Sequence, residues 1–179
     1  MNFGVGYYKI VHTENVMTEK ISTIINEMIS YYSKDPRRVN HFLKVYSFSK
    51  SIGELERIDE NTQNILEIAA VMHDIGIKIS EEKYKSSAGN YQEIEGPPVA
   101  REMLLKLNFD EKFIDRVCYL IGHHHTYSKI DGIDYQILIE ADFLVNIYED
   151  EIKVPQIQSI KEKYFKTKAG TEFLINLYL

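Results

Sequence analysis

From Ile65 to Met72 the chain is apolar except for Glu67, and the run ends on two ionisable side chains, His73 and Asp74. Eight residues are too few to span a membrane and too uniformly apolar for a solvated helix, so this stretch reads as a buried helix inside a folded core. An imidazole and a carboxylate carried into such a place need a partner or a cation to offset their lost hydration. This pair therefore sets two questions for the rest of the chain: what packs around the helix, and what compensates its polar end.

Helical spacing answers the first. Met17, Ile21, Ile24, Ile25 and Met28 form one amphipathic stripe, and Asp35-Pro36, a capping carboxylate followed by a residue suited to the first helical turn, opens a second helix toward Glu56. Asn61-Thr62 caps the third, which ends near Gly76. Residues 80–96 are polar without a clear period and read as a long surface loop. Pro97-Pro98 begins a fourth helix, Asp110 caps a fifth that runs into His123-His124-His125, and Asp134 precedes a sixth ending near Glu149. Pro155 and Thr171 open two short terminal helices, while residues 1–15 read as irregular. The fold class is all-α. With 179 residues, 44% of them hydrophobic, the chain can build one core and not two. The expected organisation is a single helical bundle over residues 1–179, its core about 35–150, with an N-terminal helix at 16–32 and C-terminal helices at 155–179 packed on it.

Charge and cysteine content exclude several functions. The formal net charge is −6 and the basic residues are dispersed, so no concentrated positive patch is offered to a nucleic acid duplex or an anionic membrane. Cys118 is the one cysteine, which rules out an internal disulfide and fits a reducing compartment, with core packing as its role. No basic leader precedes an apolar run and no stretch is long enough to span a bilayer, so a cytoplasmic location is expected. The C-terminal stripe Phe173, Leu174, Leu177 and Tyr178 serves either packing on its own domain or a homodimer.

Helical phase sorts the polar candidates. His41 shares a stripe with Arg38, Val45, Phe48, Ile52 and Leu55; His73 continues Ile65, Ala69 and Met72; His124 follows Phe113, Val117, Leu120 and Ile121; Asp142 follows Tyr135, Leu138 and Ile139. Each alone has an ordinary explanation, such as a hydrogen-bonded core histidine, a buried ion pair or a histidine at a helix C-terminus. Holding all of them at once on four helices is the less economical reading. A shared divalent cation compensates the whole set, and the mixed imidazole and carboxylate donors suit iron, manganese, cobalt, nickel or magnesium better than a cysteine-rich zinc site.

The order His41, His73-Asp74, His124, Asp142, with His73-Asp74-Ile75-Gly76 as its centre, resembles the HD-domain superfamily of metal-dependent phosphohydrolases over roughly residues 37–149. The resemblance implies that His41, His73, Asp74 and Asp142 hold a first metal ion and that Asp74 reaches toward a second. Where two-metal members carry a further ligand, commonly histidine, this chain has Glu95, in Ile94-Glu95-Gly96-Pro97. Phase favours His124 as the other second-site ligand, with His123 beside it and His125 the weaker choice. Such a site activates water to a hydroxide that attacks phosphorus. Arg38, one turn before His41, and Lys78, one turn beyond Asp74, stand where they could join Asp74 in stabilising the phosphoryl group. The implied substrate is a small phosphate ester or anhydride, a nucleotide or dinucleoside polyphosphate being the natural choice. A diiron oxygenase of the same superfamily and a non-catalytic metal-binding signalling module are the alternatives.

Overall fold

The computed structural model describes the backbone of residues 4–179 and the side chains of residues 17–179. Among the described residues every regular element is a helix: α1 (Gly4–Tyr31), α2 (Pro36–Glu56), α3 (Glu60–Met72), α4 (Ile77–Tyr84), α5 (Gly89–Lys106), α6 (Glu111–Ile121), α7 (Ile133–Glu149), α8 (Val154–Tyr164) and α9 (Lys168–Tyr178). No helix among them is long and apolar enough to cross a membrane.

Two helices occupy the middle. All residues of α3 from Ile65 to Met72 are buried, including Glu67, whose carboxylate accepts from Lys50 Nζ at 3.0 Å and Gln63 Nε2 at 2.8 Å. In α7 the nine residues Asp134 to Asp142 are all buried. The α2 helix packs along both, α1 and α6 close on α3, α5 lies between α4 and α6, and α8 and α9 cover α7. Of the C-terminal stripe, Leu174 is buried, Phe173 faces Phe48 and the Tyr178 hydroxyl donates to Leu144 O, so most of it is spent on the chain's own core, while Leu177 stays exposed.

Local signals set several boundaries. Asp35 caps α2 by accepting from Arg38 N, Asp110 caps α6 through Phe113 N, and Pro155 stands in the first turn of α8. Elsewhere the expected boundaries shift. The cap of α3 is Asp59, which accepts from Thr62 N, and that of α9 is Thr167, which accepts from Gly170 N, rather than Asn61-Thr62 and Thr171. The expected irregular start is helical from Gly4; no proline interrupts it and two glycines cost only about 1 kcal/mol each relative to alanine. Residues 1–3 lie outside the described set.

The largest departure is the expected loop at 80–96, which is mostly helix. Ile77 and Ser80 turn inward from α4, and the inward face of α5 is Gln92, Glu95, Gly96, Ala100 and Leu104. That face has helical spacing, but its first turns are polar or lack a side chain, so a search for apolar periodicity passes over it. Pro97-Pro98 lie inside α5 instead of opening it, a case of packing against α4 and α6 overriding local preference.

Gly76 shows how tightly α5 closes on the turn after α3. A Cβ at Gly76 would lie 2.5 Å from Gln92 O and 2.8 Å from Gly96 N, both backbone atoms that cannot rotate aside. Replacing Gly76 by alanine is expected to destabilise the protein by about 2–3 kcal/mol through this overpacking. Calorimetry should show a thermal midpoint lowered by several degrees, and an unchanged midpoint would mean that α5 shifts freely.

Candidate metal centre

Four helices and two turns deliver the polar residues to one place. His41 comes from the second turn of α2, His73 caps the C-terminus of α3 with Asp74 next to it, His124 and His125 lie in the turn after α6, and Asp142 sits midway along α7. His41 Nε2 is 3.2 Å from His73 Nε2 and 3.3 Å from Asp142 Oδ1, and His73 Nε2 is 3.7 Å from Asp142 Oδ1. Asp74 Oδ2 is 3.5 Å from both of these Nε2 atoms, while its Oδ1 is 3.5 Å from His124 Nε2. One carboxylate thus touches both a His41–His73–Asp142 group and an Asp74–His124–His125 group.

The ring tautomers follow from what stands behind each imidazole. His73 Nδ1 faces Ala70 O at 2.8 Å, His124 Nδ1 faces Ile121 O at 2.8 Å, and His41 Nδ1 faces Glu149 Oε2 at 3.0 Å. Each acceptor requires a proton on Nδ1, so in the neutral ring Nε2 is the lone-pair atom turned to the centre, the usual arrangement behind metal-bound histidine. His41 and His73 bring their Nε2 atoms within 3.2 Å of each other, a contact that needs a proton or a metal ion between them. His124 Nε2 and Asp142 Oδ1 are moreover buried without a hydrogen-bond partner. Donors bound at about 2.1 Å to one ion stand about 3.0–3.5 Å apart, close to the spacing seen here. The donor set therefore fits a divalent transition metal.

Electrostatics point the same way. Burial opposes the charge on Asp74, but His73, His124 and His41 outweigh it and hold the carboxyl far below the usual range. Asp142 is likewise held low, burial being overcome by His41 and His73. For His41, burial is outweighed by the Asp142 and Asp74 carboxylates, which carry it up to about 9. His73 is pushed down by burial, and burial together with His124 takes His125 to about 4. The centre thus keeps its carboxylates ionised and attracts positive charge.

Other expected site residues are placed elsewhere. Glu95 is not brought to the centre: Lys83 Nζ at 2.6 Å and the Tyr84 hydroxyl at 2.7 Å hold its two oxygens, and hydrogen bonding to Lys83 keeps it ionised. His123 is turned away, its Nδ1 facing Tyr119 O and its ring stacked on Tyr119, because the turn after α6 rotates the middle and last histidines inward instead. His125, the weaker choice by phase, joins the second group. Lys78 donates to Tyr31 O and lies over the Tyr31 ring, away from the donor cluster. Arg38 does line the adjoining cavity, together with His41 and Asp74.

Three supporting residues went unnoticed in the sequence. Glu149 lies two turns beyond Asp142 on α7, a spacing that could have revealed it, and it links His41 to Lys44. Tyr32 donates to Asp74 O at 2.5 Å and Tyr31 to Ile75 O at 3.1 Å, so the end of α1 holds the backbone of the turn that presents Asp74. Removing the carboxylate behind His41, as in Glu149→Ala, is expected to weaken metal affinity about 10–100-fold. A competition titration against a coloured chelator would measure this, and an unchanged constant would show that His41 needs no orientation from Glu149.

Fold and donor set together define an all-helical protein built around a histidine–aspartate site suited to a divalent cation. The HD domain family model matches residues 38–160, and the chain belongs to the HD domain family. Among solved structures it is similar to a "predicted HD superfamily hydrolase" from an uncultured Thermotogales bacterium, with a TM-score of 0.61 and 22% identity over 88% of this chain and 83% of that one. A comparison with curated proteins finds no match.

Proposed function

We propose that this protein is a metal-dependent phosphohydrolase that cleaves a phosphate ester or anhydride bond of a small phosphorylated molecule, nucleotides included, at the His41–His73–Asp74–Asp142 centre. The observation that carries this reading is the convergence of the His41 and His73 Nε2 atoms, 3.2 Å apart, with ionised Asp74 and Asp142 around them. A divalent cation there supplies Lewis acidity toward phosphoryl oxygens and acidifies water. The protein's own part is to present the donors in fixed tautomers, through Glu149, Ala70 O and Ile121 O, and to join the two groups through Asp74. Arg37 and Arg38 line the adjoining cavity, and since Arg38 is held by Asp35 and Glu81, Arg37 is the guanidinium that can orient a phosphoryl oxygen. Membership of the HD domain family and the description of the Thermotogales relative as a hydrolase support the same chemistry. The diiron oxygenase reading needs a second ion as firmly held as the first, and the second group has only two histidines beside the shared Asp74.

Removing metal tests the proposal. Protein purified without chelator should contain one to two equivalents of transition metal by mass spectrometry and release phosphate from at least one member of a phosphoester and nucleotide panel. Dialysis against a chelator should abolish that release, and manganese, iron or cobalt should restore it. Turnover by the metal-free protein, or none by the loaded protein on any phosphate compound, would overturn the reading.

A further inference from the structure

The cavity beside the centre has a volume of about 390 Å³, and its inner wall is formed by His41 and Asp74, so a molecule within it lies against the donor cluster. Its charge is unusual for a site that takes a polyphosphate. Two basic residues line it, Arg37 and Arg38, both on the first turn of α2. Arg38 is already engaged, its Nη1 lying 3.0 Å from Asp35 Oδ2 and its Nη2 2.6 Å from Glu81 Oε1. Arg37 has no carboxylate partner among the described residues. The α2 N-terminus adds little, because Pro36 has no amide hydrogen and Asp35 caps Arg38 N at 3.1 Å. On the facing side, from the end of α7, stand Asn146, Glu149 and Asp150. The charge of Glu149 is met by Lys44 and His41, whereas Asp150 has no basic partner among the described residues.

Beyond the metal centre, then, one uncommitted cation faces one uncommitted anion. Asp74 and Asp142 offset the charge of one divalent ion, so a single phosphate would be met by that ion as a Lewis acid and by Arg37 as the free charge. Each further phosphate needs additional basic groups or backbone amides, and the walls supply carboxylates. The remainder of the ligand meets Asp150, an acceptor only, and Asn146 and Ser87, which both donate and accept, so hydroxyl or amino groups of the ligand satisfy all three while a second phosphate leaves Asp150 unmatched.

We propose that this cavity selects esters bearing one phosphate on an alcohol rich in hydroxyl or amino groups, and rejects di- and polyphosphates through the Asp150 side of its wall. The proposal rests on the phosphohydrolase reading, and it narrows the ester-or-anhydride choice to monoesters. Calorimetric titrations at low temperature on manganese-loaded protein provide the test, using glycerol 3-phosphate, glucose 6-phosphate and AMP as monoesters, fructose 1,6-bisphosphate and ADP as their two-phosphate counterparts, and phenyl phosphate as an ester without donors. The tightest monoester is expected to bind roughly tenfold or more tightly than either two-phosphate compound and than phenyl phosphate, the size of one charge repulsion or of unmatched polar groups. Asp150→Asn should narrow the first gap several-fold while leaving metal content unchanged. Equal binding of a two-phosphate compound or of phenyl phosphate, a gap untouched by Asp150→Asn, or no binding of any monoester would overturn the proposal. A monoester preference without phosphate release from any compound would leave the cavity assignment standing and overturn the hydrolase reading instead.

Discussion

Asp74→Ala is expected to yield a folded protein without stoichiometric metal and with phosphate release lowered about 1000-fold or more. Asp74 touches both donor groups, lying 3.5 Å from the Nε2 atoms of His41, His73 and His124. Removing an outer partner of a metal ligand typically costs about 10–100-fold in affinity or activity, and losing a charged ligand shared by the whole cluster exceeds that. The backbone around it does not depend on the carboxylate, since Tyr32 and Tyr31 hold the carbonyls of Asp74 and Ile75. Asp74→Asn, which keeps the volume and one oxygen but loses the negative charge, should follow alanine in metal content and so separate ligand loss from packing loss. Metal analysis, phosphate release and circular dichroism on the same preparations provide the check. Retention of one equivalent of metal with turnover within about tenfold of wild type would remove Asp74 from the role assigned to it.

The largest stability effect is expected far from the centre, at Glu140. This side chain is fully buried on α7, where Oε1 accepts from Lys166 N, Thr167 N and Gln136 Nε2, and Oε2 accepts from the Thr167 hydroxyl. It thereby fixes the turn between α8 and α9 to the middle of the bundle. Glu140→Ala strands several buried donors at about 1–3 kcal/mol each, so a loss of about 3–5 kcal/mol is expected in chemical denaturation. Glu140→Gln should retain nearly all stability at neutral pH, because its oxygen can occupy the Oε1 position while its amide donates to Thr167 Oγ1. Burial pushes the Glu140 carboxyl above its usual 4.5 despite the four donors. Its protonation therefore favours the folded state, and relative to the glutamine variant the wild type should gain stability as pH falls through the folded-state value toward 4.5. Equal stability of the alanine and glutamine variants would show that the hydrogen bonds at this turn contribute little.

The parts of the molecule legible in the sequence are those whose cause is local. Apolar spacing marks α2, α3, α6 and α7, and the capping carboxylates Asp35 and Asp110 act within their own first turns. Inward phase singled out His41, His73, His124 and Asp142, because a residue's face on a helix follows from its position along the chain. The same logic fails where the inward face is not apolar, as at Gln92, Glu95 and Gly96 of α5, and it grows uncertain beyond the end of α6, where it found His124 but ranked His123 above His125.

What the sequence by itself determined is the all-helical class, the ligand types and the directions in which most of them point, since periodicity and side-chain chemistry are properties of neighbouring residues. What only the tertiary structure decided is convergence: that three Nε2 atoms and two carboxylates meet within ligand distance, that Glu149 stands behind His41, and that Lys83 and Tyr84 draw Glu95 away from the centre. Those outcomes depend on how α2, α3, α6 and α7 pack against one another, and such packing joins residues as far apart as His41 and Glu149, whose separation along the chain leaves no trace in any local pattern.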